Sequence, residues 1–516
     1  MQPTILWVDD EIDLLRPHII FLEQKGYHVL TASNGHDAIE LVSQNPIDLV
    51  FLDENMPGIG GLGTLPKIKA IKPTLPVVMV TKSEEENIMD MAVGAQISDY
   101  LIKPVNPKQV LLVVKKFVHG KELVSEKQLA DYRNEFRLIS DLIATAKNHL
   151  DWTVIYRKLA MWQVKLSDNP DSSLKQMLEM QFEEANQVFG KFVKANYLQW
   201  FQTKGAKPLL SPSVLRNKVF PLISSGNKVL LLVIDNFRYD QWKIIQPIIT
   251  ESWQVNRDET YFSILPTATQ YARNALFAGL MPLEIHKTYP DLWVFDEENE
   301  GKNLFEKKLL TAQLQRLGLN INFSYIKTNT LKGIAGGLNI KEFLGNSLAV
   351  LVYNFVDVMS HSRTDSEMMR SLAADESAYL SLTRSWFLHS DLKEFLDQAA
   401  NLGVQVVLTT DHGAIRVKNP VKVVGDRATS TNLRYKLGRS LNYNPKEVLA
   451  IRKPEEAHLP KPNISSSFIF ALANDFLAYP NNFNYYASYY RDTFQHGGIS
   501  LEEMIVPLVT LNPQKR

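Results

Sequence analysis

The chain of 516 residues contains no cysteine. That excludes disulfides, thiolate zinc ligands and thiol nucleophiles together, and it suits a cytoplasmic protein. Net charge is also missing: 56 Lys and Arg stand against 56 Asp and Glu. With no overall basic field to draw nucleic acid to the surface, any polyanion contact must be local. No apolar run reaches the length that spans a bilayer before a charge interrupts it, so no membrane association is expected. The opening residues, MQPTILWVDDE, lack a basic segment followed by an apolar core, which predicts no signal peptide.

What is present is an ordinary globular composition, 45% hydrophobic and 22% charged, in a length that suits three or four domains. The texture changes twice along the chain. Residues 1–120 alternate short apolar runs with amphipathic stretches. Thr4 to Val8, Tyr27 to Leu30, Leu49 to Leu52, Val77 to Val80 and Tyr100 to Ile102 read as five strands. Such alternation predicts a parallel, doubly wound sheet. Across 121–213 glycine becomes scarce. Leu129, Tyr132, Phe136, Ile139 and Ile143 recur at helical spacing, predicting a small helical bundle or spacer. From 214 to 516 strands return, in Lys228 to Ile234, Leu348 to Phe355 and Val404 to Thr409. Each ends at or just before a polar cluster, where open parallel sheets gather their ligands. The fold class expected is α/β multidomain.

The first polar set is compact in kind. Asp9 and Asp10 follow the first strand, Asp53 ends the third, Thr81 ends the fourth, and Lys103 follows the fifth. All five converge on one sheet edge. Clustered carboxylates suit Mg²⁺, a carboxylate can accept a phosphoryl group, and a hydroxyl and an ammonium can hold its oxygens. A single Asp pair here would merely cap a helix; five roles in order do not. The stretches WVDDE, FLDENMPG, MVTKS and DYLIKPV resemble the flavodoxin-like (βα)5 receiver domain of response regulators. The resemblance implies that Asp53 is the phosphoacceptor and that Asp10, Asp53 and the Asn55 carbonyl bind magnesium, with Asp9 acting mostly through water. It also implies that Thr81 and Lys103 sense the phosphoryl group and that Tyr100 is a switch aromatic. Lys82 departs from the pattern, in which a small residue often follows the Thr.

The second set is scattered. Asp235 ends VLLLVID. Thr267 and Thr269 lie in LPTATQYARNALFAG. Asp357 and His361 lie in NFVDVMSH, Asp411 and His412 in VVLTTDHGA, and His496 in FQHGG. Imidazole and carboxylate together suit Zn²⁺ or Mn²⁺. Three Asp, three His and a hydroxyl would supply two adjacent sites, and two metals roughly 3.5–4 Å apart can clamp an in-line displacement. Any one of these residues alone is more ordinary: a lone His is usually a core or surface histidine, and Asp235 alone could cap a helix.

This order resembles the alkaline phosphatase superfamily, in its PglZ-type branch. The resemblance implies two zinc ions, one held by Asp235, Thr269, Asp411 and His412, the other by Asp357, His361 and His496. It implies a threonine nucleophile, with Thr269 preferred because it stands closer to the helical segment and Thr267 as the alternative. Sulfatases share the fold but need a Cys or Ser at the nucleophile, so phosphate esters or diesters remain. Arg238, Arg273, Asn274 and the basic run Arg427, Arg434, Lys436 and Arg439 are candidates to orient a phosphodiester; a solvated charged face is the alternative for the last group.

Receiver (1–120), helical linker (121–213) and PglZ-type domain (214–516) together resemble the regulators of type IX secretion in Bacteroidota. That resemblance implies a sensor histidine kinase as phosphodonor, oligonucleotide or cyclic oligonucleotide hydrolysis, and an extracytoplasmic-function sigma factor as partner. Homodimerisation on phosphorylation is the expected switch. The alternative is a catalytically silent PglZ domain acting as a scaffold for the sigma factor. Direct transcriptional control is disfavoured by the neutral charge and the lack of a DNA-reading helix.

Overall fold

The structure is a computed structural model that describes residues 2–82, 97–118, 120–169, 171–202, 205–295, 303–332, 338–365, 375–426 and 429–514, with side chains described outside 120–129 and 361–365. It divides into two compact units, residues 1–131 and 132–516.

In the first unit five parallel strands, β1 (Thr4–Val8), β2 (His28–Ala32), β3 (Leu49–Asp53), β4 (Val77–Thr81) and β5 (Asp99–Ile102), lie in the order β2-β1-β3-β4-β5. The runs LVFLD and VVMVT are buried throughout, as strands covered on both faces must be. Alternation divides their side chains between two cores. Leu6, Val8, Val50 and Leu52 meet Ala38 and Val42 of α2 (Gly35–Gln44) and Leu65 and Ile68 of α3 (Gly60–Ile71). Ile5, Trp7, Phe51 and Val80 meet Leu22 of α1 (Arg16–Gln24) and Val110, Val113 and Val114 of α4 (Pro107–Val118). Gly61 lets α3 press against the end of β3: a Cβ there would stand 2.3 Å from the Asp53 carbonyl oxygen.

The second unit joins helices to a larger sheet. Tyr132, Ile139 and Ile143 of α5 (Gly120–Thr145) are buried, as their spacing predicts. Gln181 of α7 (Ser172–Asn196) donates to the Phe136 carbonyl at 2.9 Å and to Ser140 Oγ at 3.1 Å, locking α7 to α5. α6 (His149–Ser167) starts at a capping box in which Asn148 and Asp151 satisfy each other's backbone amides, covering donors that a helix start leaves unmade. Aromatic contacts, Trp152 to Phe189 at 5.3 Å and Phe189 to Phe262 at 6.3 Å, carry these helices onto the sheet. The helical segment is thus built into the second unit.

That sheet runs β7-β11-β10-β6-β9-β8, from β6 (Val229–Ile234), β7 (Trp253–Phe262), β8 (Phe323–Thr328), β9 (Leu348–Tyr353), β10 (Gln405–Thr409) and β11 (Ile505–Pro513). β6, β8, β9 and β10 are parallel, and β11 runs against β10 and β7. Thr409 pairs with Val233, and Ile234 with Tyr353. The carboxyl ends of the three central strands therefore lie at one edge. No helix among the described residues is long and apolar enough to cross a membrane.

Asn148→Ala removes the α6 cap. The second unit should lose about 1 kcal/mol, read as a lower midpoint in denaturant unfolding with an unchanged slope.

Candidate functional site

The receiver edge assembles its charges around one ammonium. Lys103 Nζ stands 2.8 Å from Asp9 Oδ2 and 3.1 Å from Asp53 Oδ1. Asp9 and Asp53 are buried and Asp10 is exposed, and the three carboxylates converge closely enough to share a cation. Burial pushes the Asp53 carboxyl up, against the pull of Lys103. Burial works to lower the Lys103 ammonium, but Asp9 and Asp53 outweigh it and raise it. Thr81 Oγ1 donates to Glu54 Oε2 at 2.6 Å. Asn55 is exposed beside Asp53, and Tyr100 is 43% exposed, so its ring points outward. Lys82 is exposed and pairs with Glu11 at 3.3 Å.

At the second edge, residues separated by up to 261 positions meet. Asp235 leaves β6 while Asp411 and His412 leave β10, and the three converge within reach of one ion, all buried. Thr269 is the first residue of α8 (Thr269–Ala278), whose start no side chain caps; its Oγ1 lies 3.1 Å from His412 Nε2. Thr267 is placed differently. Its hydroxyl donates to the Gly498 carbonyl at 2.8 Å and accepts from the Gly497 amide at 3.0 Å, deep in the fold. Asp357, on α9 (Phe355–Asp365), is half-buried and lies 3.9 Å from His496 Nε2. The His412 and His496 rings stack at 4.3 Å, which brings the two predicted sets side by side. His361 falls on α9, but its side chain lies outside the described residues.

Both imidazoles are fixed from behind. His412 Nδ1 is 3.1 Å from the Gly413 carbonyl and His496 Nδ1 is 3.2 Å from the Thr267 carbonyl. A carbonyl only accepts, so each Nδ1 carries the proton and each Nε2 keeps a lone pair facing the site, the usual support of a metal-ligating histidine. The carboxylates complete the test of fit. Asp235 Oδ1 is buried with no hydrogen-bond partner. Arg273 pairs with Asp235, Asp411 and Glu306, and Lys327 pairs with Glu306. Burial pushes the Asp235 carboxyl well above the usual range, reinforced by Asp411 and Asp357 and opposed by Arg273. Burial acts the same way on Asp411, yet the Arg273 guanidinium, by its charge and hydrogen bond, holds it down to about 2. The residues therefore fit a divalent metal.

More than half of the sequence, residues 214–511, matches the family described as the BREX system PglZ alkaline phosphatase-like domain. The chain belongs to the PglZ alkaline phosphatase-like family. Residues 5–115 match the response regulator receiver domain and 122–201 the PorX response regulator linker domain, so this PglZ member has the organisation of a PorX-type response regulator. Similar curated proteins include the alkaline phosphatase synthesis transcriptional regulatory protein PhoP of Bacillus subtilis (strain 168), 32% identical over 127 residues, which are 24% of this chain and 52% of that protein. The transcriptional regulatory protein SrrA of Staphylococcus aureus (strain NCTC 8325 / PS 47) is 29% identical over 154 residues, 27% of this chain and 64% of that one. The chain thus spans between half and two thirds of the length of these relatives. Among solved structures, a receiver domain protein from Clostridium thermocellum is 30% identical, covering 23% of this chain and 98% of its own, with a TM-score of 0.22. The chemotaxis protein CheY4 of Vibrio cholerae is 24% identical over 23% of this chain and 99% of its own, with the same TM-score.

The basic residues of this PglZ domain depart most from their sequence reading. Arg273 is turned to the site's carboxylates and not outward. Arg238 pairs with Asp240 and, at 2.7 Å, with Glu376. Arg434 is fully buried on Glu503 at 2.6 Å, so neither a diester clamp nor a solvated face describes it. Arg439 is exposed, and Arg427 lies outside the described residues. Asn274 is buried on α8. Sequence reasoning missed Asn236, which donates to Asp357 Oδ1 at 3.2 Å from a left-handed backbone at φ 60°. Its one signal was its place after Asp235. It also missed Glu306 and Lys327, which no motif marks.

Lys436 is 1% exposed, with its ammonium 4.4 Å from the Tyr479 ring centre. Burial pulls it from the ordinary 10.5 to about 7. Between those values the unfolded chain binds more protons than the folded one, so this residue's contribution to stability rises with pH across that window. Lys436→Met should stabilise the fold at pH 7 by on the order of a few kcal/mol. The gain should shrink as pH approaches 10.5, as followed by thermal unfolding at a series of pH values.

Proposed function

We propose that this chain is a two-component response regulator, phosphorylated on Asp53, that controls a zinc-dependent phosphodiesterase. Oligonucleotides or cyclic oligonucleotides are the proposed substrates and type IX secretion the proposed process. On this reading the receiver is residues 1–120, the helical linker 121–213 and the effector 214–516, in a cytoplasmic protein. A sensor histidine kinase supplies the phosphoryl group, an extracytoplasmic-function sigma factor is the partner, and magnesium at Asp9, Asp10, Asp53 and Asn55 assists the transfer.

The observation that carries the enzymatic reading is the contact of Thr269 Oγ1 with His412 Nε2 beside two buried carboxylates. Asp235, Thr269, Asp411 and His412 would hold one zinc ion, and Asp357, His361 and His496 the other. Bound zinc supplies the Lewis acidity that lowers the pKa of a hydroxyl and offsets negative charge at phosphorus. Thr269 then attacks: its hydroxyl proton is lost to solvent as the P–Oγ1 bond forms, the bond from phosphorus to the leaving oxygen breaks, and that oxygen departs with the electron pair and takes up a proton. Thr269 stands at the start of α8, so the helix's first amides favour the phosphoryl oxygens. Water attack on phosphorus later breaks P–Oγ1 and returns the hydroxyl. Thr267 is spoken for by Gly497 and Gly498, which favours Thr269 as nucleophile. At the receiver, Lys103 and Thr81 take the oxygens of a phosphoryl group on Asp53, and Tyr100 is the switch aromatic.

Thr269→Ala should cut hydrolysis of bis(p-nitrophenyl) phosphate in zinc by at least roughly a hundredfold, about 3 kcal/mol of barrier. Undiminished activity would remove Thr269 from its role. A zinc-loaded wild type with no diesterase activity would favour the scaffold reading.

Phosphorylation should drive dimerisation. With a small-molecule phosphoryl donor, wild type should sediment as a dimer and Asp53→Ala as a monomer. Identical sedimentation of the two proteins rejects the switch.

A further inference from the structure

We infer that Arg273 sets the metal preference of the effector centre by denying its two fully buried carboxylates a two-oxygen grip. The inference rests on the reading of that centre as a divalent metal site.

Asp235 and Asp411 have four oxygens between them. Arg273 Nη2 pairs with Asp235 Oδ2, and Arg273 Nε donates to Asp411 Oδ2 at 3.0 Å. Thr410 Oγ1 is 3.3 Å from Asp411 Oδ1. Three of the four are engaged, and Asp235 Oδ1 is the one without a partner. Asp235 keeps one free oxygen and both oxygens of Asp411 are engaged, so neither carboxylate offers an ion two free oxygens. The guanidinium that enforces this is itself held. It is 1% exposed, its Nη1 reaches Asn354 Oδ1 at 3.2 Å and Glu306 Oε1 at 3.8 Å, and Lys327 pins Glu306 at 2.7 Å. Swinging Arg273 aside would strand a buried positive charge.

The consequence follows from coordination chemistry. Zinc is satisfied with four ligands and mixes imidazole with single carboxylate oxygens. Calcium wants six to eight oxygens and commonly gathers them from two-oxygen carboxylates. A centre in which neither carboxylate offers two free oxygens, next to two imidazole lone pairs, therefore favours zinc. Arg273 acts through Asp235 and Asp411 and is a positioning residue for the ligands. Its Nε and Nη1 donate to Asp411 and Asn354, and its Nη2 is ion-paired with Asp235, which turns the guanidinium to the ligands.

The test is competition of Zn²⁺ and Ca²⁺ for the full-length chain, with affinities read by chelator titration in wild type, Arg273→Lys and Arg273→Met. Removing a positive charge strengthens every divalent ion alike, so the zinc-to-calcium affinity ratio, not either affinity, is the readout. Arg273→Lys keeps the charge and the fold while releasing one carboxylate. The ratio should fall by roughly tenfold or more in Arg273→Met, and by a smaller, measurable factor in Arg273→Lys. A ratio unchanged in Arg273→Lys, in a protein that still binds zinc, overturns the inference and leaves the metal-site reading standing. A wild type that binds neither ion overturns both.

Discussion

A carboxylate taken out of water must be met by positive charge or a proton, and that requirement organises both functional edges. In the second unit the parallel sheet brings Asp235, Asp411 and Asp357 to one place. Arg273 can answer only part of their charge, since it is shared with Glu306. Asp235 Oδ1 is left without a hydrogen-bond partner, and on the proposed reading a divalent ion would take it. Backbone carbonyls lie beside the Nδ1 atoms of His412 and His496, which fixes the orientation of both rings.

The receiver solves the smaller version of the problem with one lysine. Lys103 spans Asp9 and Asp53 at 2.8 and 3.1 Å. Covalent phosphorylation would convert the Asp53 carboxylate to an acyl phosphate and place new oxygens beside that ammonium. Thr81, now turned to Glu54, has a reason to move only when those oxygens offer it a better partner. A two-state surface biased by one local charge change is the general form of such a switch.

The helices between receiver and effector are part of the effector's own structure. Asn186 of α7 donates to Glu502 at 3.0 Å and accepts from the Leu501 amide at 2.8 Å, and the Glu502 carbonyl presses on Gly413 next to His412, where a Cβ would stand 2.1 Å away. α7 is thus joined through packed neighbours to the loop that carries Asp411 and His412. The cost of a side chain at Gly413 shows how little slack that path has.

Periodicity and motif order made the architecture legible. Buried strands announce themselves as apolar runs, and the acidic residues at their ends follow from where parallel sheets bind ligands. The five receiver groups and the order Asp235, Thr269, Asp357, Asp411, His412 and His496 were readable for that reason. Charge neutralisation was not readable, because it joins residues with no sequence relationship. Arg273 and Arg434 look like substrate clamps or surface charges in one dimension, and the fold buries both on acids 138 and 69 positions away. Thr267 and Thr269 are near-equivalent on paper; only the packing of Gly497 and Gly498 against one and His412 against the other separates them. The sequence by itself determined which elements form and which side-chain types stand at their ends, since those depend on local pattern. Which charges compensate which was decided by the tertiary structure alone, since burial is what makes compensation necessary.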